Sequence, residues 1–214
     1  MTCNLAVSIM KAALSDERLK ALIDEHIDQV TAIMRGYLHQ KHPLLELGEA
    51  NAGQFSVGDG LTLKIAQGQV TLSGQRTSRT AQYMGHLSEE TSTFLPLIAD
   101  QLFLREVESR LKVAATITGK KTSDVTNNQT VQRATVYSIE IRGLKGRVFV
   151  LPGGHMQIFM DTGTFVQAKT ATQELLQAVQ AEGFSSLQMV GEVEQHRDTP
   201  DHVHVRHAHQ RGGS

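Results

Sequence analysis

GLKGRVFVLPGGHMQIFMDTGTFVQAKTATQELLQAVQAEGFSSLQMVGEVEQH, residues 143–196, has the pattern of a self-contained folding unit. Two runs of alternating apolar and polar residues flank Pro152-Gly153-Gly154, whose composition predicts a turn. After Gly163 the apolar spacing changes to about 3.6 residues, which predicts a helix that ends near Gly183. With a last strand from Leu187 to Val193, the unit is predicted to fold as strand, strand, helix, strand.

The preceding residues predict a similar order of elements. Residues 44–74 alternate around glycine-containing turns and predict a small antiparallel set of strands, whereas residues 75–87 show no period and predict a loop. A helix is predicted from Ser88, with Pro96 tolerated only close to the start of its regular part. After Leu111 the period returns to two and predicts a hairpin that reaches Ile141.

The N-terminal residues 1–42 are predicted to be helical. A short first helix would carry Leu5, Ile9, Ala12 and Ala13, and a longer one capped by Ser15 would end near His42-Pro43.

The predicted fold class is therefore α+β, with antiparallel sheets, helices packed on one face and a helical N-terminal segment. Four segments are expected: the helical segment 1–42, an α+β unit 43–142, the strand-strand-helix-strand unit 143–198, and a flexible His-rich tail 199–214.

Composition restricts the class of function. The 214 residues include 21 basic and 22 acidic ones, a formal net charge of −1, which argues against a generally basic nucleic-acid binder. Cys3 is the only cysteine, so an intrachain disulfide is impossible, which fits a reducing cytoplasm. No apolar run reaches the ~20 residues that a membrane span needs, so we predict a cytoplasmic protein without a membrane partner.

Five histidines near the C-terminus form a candidate metal site. Imidazole is a good ligand for zinc, copper or nickel, and this cluster is the basis for a metal-dependent enzyme as an alternative function. A specific site also needs a rigid frame and supporting hydrogen bonds, so the favoured interpretation is a solvated tail, and no cofactor is predicted. The candidate ligands are His196, His202, His204, His207 and His209.

A basic hairpin is the second candidate site. Lys112, Lys120, Lys121 and Arg133 could contact phosphates, so a nucleic-acid or phosphate-ligand binder is a further alternative. Gly119-Lys120 matches the end of a phosphate-binding loop, but Ala114 stands where that motif needs glycine and Lys121 where it needs Ser or Thr.

No catalytic constellation is recognisable, and no catalytic residue is predicted. Gly153-Gly154-His155 offers an imidazole beside a turn, but no serine or cysteine nucleophile stands at a recognisable elbow near it. Several ionisable groups converging in a deep, partly dry cleft would argue against this interpretation.

Short motifs in residues 88–198 resemble two families of small conserved proteins. Val148-Phe149-Val150, Gly163-Thr164 and Gly191-Glu192-Val193-Glu194 are similar to segments of very small cyanobacterial proteins of unknown function. Residues 88–142, with Gln101-Leu102-Phe103 in a helix before a hairpin, resemble an uncharacterised cyanobacterial and plastid family. Genes of both families often lie near one for an AAA-type ATPase.

The resemblance implies an accessory protein that works with an ATPase or another large assembly. Hairpin edges and an amphipathic helix are suited to protein partners. We therefore predict a non-enzymatic adaptor or assembly subunit whose partner is an AAA-type ATPase or a second copy of itself.

Overall fold

The computed structural model describes residues 7–74, 78–127, 130–184, 187–190 and 192–196. These residues form helices and antiparallel sheets, so the predicted α+β class is confirmed. The helices are α1 (Asp16–Glu25), α2 (Ile27–Lys41), α3 (Ser78–Ala114) and α4 (Phe165–Val179), and α4 runs into a π-helical turn, Gln180–Phe184. The strands are β1 (Val7–Ala13), β2 (Gln54–Ser56), β3 (Thr62–Ala66), β4 (Gln69–Ser73), β5 (Thr116–Asn127), β6 (Thr130–Ile141), β7 (Leu144–Leu151), β8 (His155–Met160), β9 (Gln188–Met189) and β10 (Glu194–His196).

Spatial contacts divide the chain into two compact units. Unit 1 contains residues 1–15 and 104–214, and unit 2 contains residues 16–103, so the boundary falls inside α3. The predicted boundaries at 42/43 and 142/143 are not the limits of either unit. Unit 1 is discontinuous in sequence, which no local pattern could have indicated.

Unit 1 is built on a seven-stranded antiparallel sheet in the order β10-β1-β8-β7-β6-β5, with β9 also paired to β1. The β7–β8 hairpin turns at Gly153 and Gly154, both with positive φ, as the Pro-Gly-Gly signal predicts. Helix α4 begins with a capping box, in which Thr164 and Gln167 satisfy each other's backbone N–H groups. Thr172 of α4 then reaches Ser8 of β1, 3.5 Å between the hydroxyl oxygens, and both are buried.

The face of this sheet that is turned away from α4 carries an apolar cluster. Directly paired residues of neighbouring strands lie on the same face of a sheet. Along each strand, the members of this cluster therefore alternate with the residues that face α4. All its members are at most 3% exposed: Ile9, Val125, Ala134, Val136, Phe149, Leu151 and Phe159. The central strands of the sheet are therefore buried on both faces.

Unit 2 contains α1, α2, the first part of α3 and a three-stranded sheet in the order β2-β3-β4. The small antiparallel set predicted from residues 44–74 is confirmed. Gln67 and Gly68 form the two-residue loop between β3 and β4, both with positive φ, as a tight hairpin of this length requires.

The predicted short helix near the N-terminus is wrong. Residues 7–13 form β1, which pairs with β8 on one side and with β9 and β10 on the other. The spacing of Ile9 and Ala12 fits a helix. The same residues also fit a strand, in which Ser8, Met10 and Ala12 lie on one face and Ile9 on the other, and all four are buried. Pairing with strands about 140 to 190 residues away decides between the two patterns.

The long helix begins earlier than predicted. Residues 78–87 belong to α3, so the predicted loop is wrong there, and Pro96 lies in the interior of a 37-residue helix. Leu95, Ile98 and Ala99 beside the proline are at most 3% exposed. Burial of these neighbours offsets the backbone hydrogen bond that proline cannot make.

Candidate functional site

The outer edge of β5 is the candidate functional site. In the described residues β5 pairs only with β6, so one side of a twelve-residue strand carries no strand partner. The opposite end of the sheet differs, because β1 is covered there by β9 and β10, strands of only two and three residues. A long outer strand offers a row of N–H and C=O groups to another chain, whereas very short outer strands offer little.

The side chains of β5 give this edge a specific character. Lys120, Thr122 and Asp124 are exposed on one face of the strand, and exposed Lys121 lies on the other. The register with β6 shifts between Ile117 and Gly119, which is a β-bulge or irregularity. Lysines and bulges on an outer strand discourage indiscriminate pairing, so a partner strand must complement these charges.

Glu108 of α3 holds the start of this hairpin. Its carboxylate accepts a hydrogen bond from the Tyr137 hydroxyl, 2.8 Å between the oxygens, and lies 3.0 Å from the Lys112 Nζ. The Lys120 ammonium donates to the same carboxylate and lies 5.3 Å from the centre of the Tyr137 ring. These hydrogen bonds, the one from Lys120 foremost, lower the pKa of Glu108 to about 2. Burial, followed by the bond to Glu108, raises the pKa of Tyr137.

The four predicted phosphate-binding residues do not gather into one patch. Lys112 and Lys120 share the single carboxylate of Glu108, which compensates one of their two charges. Arg133 on β6 stands directly opposite Asp124, and Lys121 lies on the face opposite to Arg133. Phosphate binding by this hairpin stays a prediction, with Lys121 as the basic residue for which the register provides no acidic neighbour on β6.

Most of the predicted metal ligands lie outside the residues that the structure describes. His202, His204, His207 and His209 are outside the described residues, and of His196 only the place in β10 is described. Among the residues that are described, no group of three or more His, Cys, Asp or Glu side chains is arranged to hold a metal ion. Metal binding by the tail stays a prediction.

A hydrogen-bonded cluster in unit 2 has no recognisable signature in the sequence. Glu90 of α3 accepts from the Tyr37 hydroxyl, 2.9 Å between the oxygens, and its second oxygen lies 2.7 Å from His42 Nε2. Tyr37 also stacks on Phe94, with ring centroids 3.8 Å apart. The partners are separated by about 50 residues in the chain, so no local motif could have joined them.

His42 opens onto a cleft of about 690 Å³, which other ionisable side chains line. Burial alone would raise the pKa of Glu90, but the hydrogen bonds from His42 and Tyr37 outweigh it and lower that pKa. Burial and the neighbouring carboxylates raise the pKa of Tyr37 and of Tyr83. The lining includes Lys41, His42, Asp59, Tyr83 and His86.

These pKa shifts are more typical of a structural hydrogen-bond network than of a catalytic site. A general acid or base works best with a pKa near neutrality, and the shifts of Glu90, Tyr37 and Tyr83 all lead away from it. The cleft is open to solvent, since the side chains of His42 and Glu90 are 36% and 25% exposed.

No family model, curated protein or solved structure matches this chain. The resemblance of residues 88–198 therefore stays a prediction. In the described part of the chain, no helix combines the length and the apolar character needed to cross a membrane.

Proposed function

We propose that this chain is a non-enzymatic adaptor or assembly subunit, and that a partner protein adds a strand to the outer edge of β5. The observation that carries the proposal is the contrast between the two ends of the large sheet. In the described residues, twelve-residue β5 is paired on one side only, whereas β1 is flanked by strands at both sides.

Strand addition uses backbone groups that are already in place. An incoming strand gains main-chain hydrogen bonds from β5, while alternate side chains determine which strand fits. Lys120 favours a strand that places an acidic side chain opposite it. The preformed hairpin, held to α3 through Glu108, reduces the ordering that binding would otherwise require.

The ionisable clusters support a binding role over a catalytic one. Glu108 and Glu90 are each engaged by hydrogen bonds from at least two side chains, and the pKa of each carboxyl lies below its ordinary value. Such carboxylates stay charged and bound at neutral pH, which suits a rigid support rather than proton transfer.

Two protein partners fit the sequence. The resemblance implies an AAA-type ATPase, for which this chain would be an accessory subunit in the cytoplasm. Self-association is the other, because one free sheet edge can pair with an identical one.

Two neighbouring proline substitutions test the proposal. Alternate residues of an outer strand direct their N–H towards the neighbouring strand or away from it, so one of Thr122 and Ser123 has an outward N–H and the other an inward one. Proline at the outward position preserves the β5–β6 ladder and blocks strand addition, whereas proline at the inward position damages the hairpin itself. Circular dichroism and thermal unfolding of Thr122→Pro and Ser123→Pro identify which is which.

The untagged chain is then purified from its native host, and its complexes are measured by size-exclusion chromatography with light scattering. We expect the well-folded proline variant to lose the partner that the unmodified chain retains. Retention of the same partner by this variant, or a strict monomer with no partner, would contradict the proposal.

A further inference from the structure

We infer that the strand added at the edge of β5 is β5 of a second copy of this chain, paired antiparallel about a two-fold axis at Thr122. This inference rests on the proposed function and names its partner. Its evidence is the order of charges along Lys120–Asp124 and the register of β5 with β6.

Symmetry limits the ways in which two β5 strands can pair. A two-fold axis perpendicular to the sheet makes the strands antiparallel and continues each face of one sheet into the same face of the other. Side chains alternate between the faces, so a residue can only stand opposite one that shares its face. One residue of β5 must therefore stand opposite its own copy at the axis.

Charge selects that residue. An axis at Lys120 or at Lys121 would place identical ammonium groups opposite each other, which destabilises a pair of strands. An axis at Thr122 places Lys120 opposite Asp124 of the second copy, twice by symmetry, and Lys121 opposite Ser123. An axis at Ser123 leaves Lys121 opposite Val125 and pairs no opposite charges. Of these four positions, only an axis at Thr122 places opposite charges next to each other.

The charged residues on either side of Thr122 also have neighbours on β6 and α3 of their own copy. Asp124 already stands opposite Arg133 of β6, and Lys120 stands opposite Tyr137 and contacts Glu108. Pairing at Thr122 therefore forms a row across the junction in which Arg133, Asp124 and Lys120 of the second copy alternate in sign. The formal net charge of −1 adds little repulsion between the two copies.

A cysteine at the axis tests the register. Exposed Thr122 is changed to Cys in a Cys3→Ser background, so the new thiol is the only one in the chain. Residues directly opposite in an antiparallel pair lie within the Cα separation that a disulfide spans. Thr116→Cys is the matched control, because it is exposed on the same strand but stands six residues from the axis in each copy.

We expect light scattering to give twice the 23.5 kDa of one chain, and mild oxidation to convert the Thr122→Cys protein into a covalent dimer. The Thr116→Cys protein should stay free of the covalent dimer under the same oxidation. A monomer at roughly 100 μM, well above the concentrations that saturate micromolar complexes, would overturn the inference. Equal cross-linking of the two variants would also overturn it.

The outcomes distinguish this inference from the proposed function. If the unmodified chain is monomeric, but the outward proline variant loses a different protein that the unmodified chain retains, self-pairing is wrong and the adaptor proposal stands. If a dimer forms but survives the outward proline and fails to cross-link at residue 122, self-pairing at β5 is wrong, whereas the adaptor proposal fails only if that variant also keeps every other partner of the unmodified chain.

Discussion

Glu108 links α3 to the hairpin by contacts that depend on its charge. Its carboxylate binds the Tyr137 hydroxyl and the ammonium groups of Lys112 and Lys120, and its side chain is 24% exposed. Tyr137 is fully buried, so loss of the carboxylate would leave its hydroxyl without this acceptor. We therefore expect Glu108 to stabilise the folded chain even when no partner is bound.

Glu108→Gln should lower the free energy of unfolding near pH 7 by about 1–2 kcal/mol, the size of a partly exposed charged hydrogen-bond network. The pKa of Glu108 is about 2 in the folded chain against an ordinary 4.5. The carboxylate therefore stabilises fully above pH 4.5, and this contribution is lost as pH falls towards 2. Urea unfolding of both proteins near pH 7 and near pH 3 measures the difference, which should shrink at the lower pH.

Glu140 provides the matched control for this measurement, because it is an exposed carboxyl on β6. Glu140→Gln should change the free energy of unfolding by less than about 0.5 kcal/mol. An equal effect of the two substitutions, or a Glu108→Gln effect that does not depend on pH, would show that the network does not stabilise the hairpin.

Glycine has opposite roles in two elements of this fold. At Gly146 on β7 a Cβ atom would lie 2.5 Å from the Phe159 carbonyl oxygen and 2.7 Å from the Met160 sulfur. At Gly36, in the interior of α2, a Cβ atom would meet nothing within 4 Å. Close packing at the first position and open space at the second predict opposite effects of the same substitution.

Gly146→Ala should destabilise unit 1 by about 2 kcal/mol or more, because the new methyl group can be accommodated only if β7 and β8 move apart. Gly36→Ala should stabilise unit 2 by about 0.5–1 kcal/mol, because alanine favours a helix interior over glycine. Thermal and urea unfolding of the two single variants measure both effects. A Gly146→Ala protein as stable as the unmodified chain would mean that β7 and β8 are less tightly packed than described.

At the scale of the whole molecule, unit 1 depends on a strand that comes from the other end of the chain. β1 lies between β8 and the short strands β9 and β10, and its Ile9, Met10 and Ala12 are buried. Removal of β1 would expose one long side of β8 and open the core beneath α4.

A chain that begins at residue 14 should therefore lose the cooperative unfolding of unit 1 and aggregate. A chain that begins at residue 6 keeps all of β1 and is the control, which should unfold as the full chain does. Circular dichroism, thermal unfolding and the soluble fraction after expression measure the difference. Normal cooperative unfolding of the shorter chain would contradict the central place of β1.

Local sequence patterns were sufficient to predict the α+β class, the small antiparallel sheet and the strand-strand-helix part of residues 143–196. The signals there are local: a Pro-Gly-Gly turn between alternating runs, the Gln67-Gly68 loop, and the change to an apolar helical stripe after Gly163. Each signal acts over a few residues, so no distant partner was needed to interpret it.

Long-range contacts were needed to show that residues 7–13 form a strand, that α3 continues through Pro96, and that β5 is the outer strand of the large sheet among the described residues. The tertiary structure also joined Glu108 to Lys120 and Glu90 to Tyr37. Strand pairing and buried hydrogen bonds depend on partners that lie far apart in sequence. A local period shows that a segment can be extended or helical, but the free energy of long-range pairing selects between the two and leaves one strand at the edge.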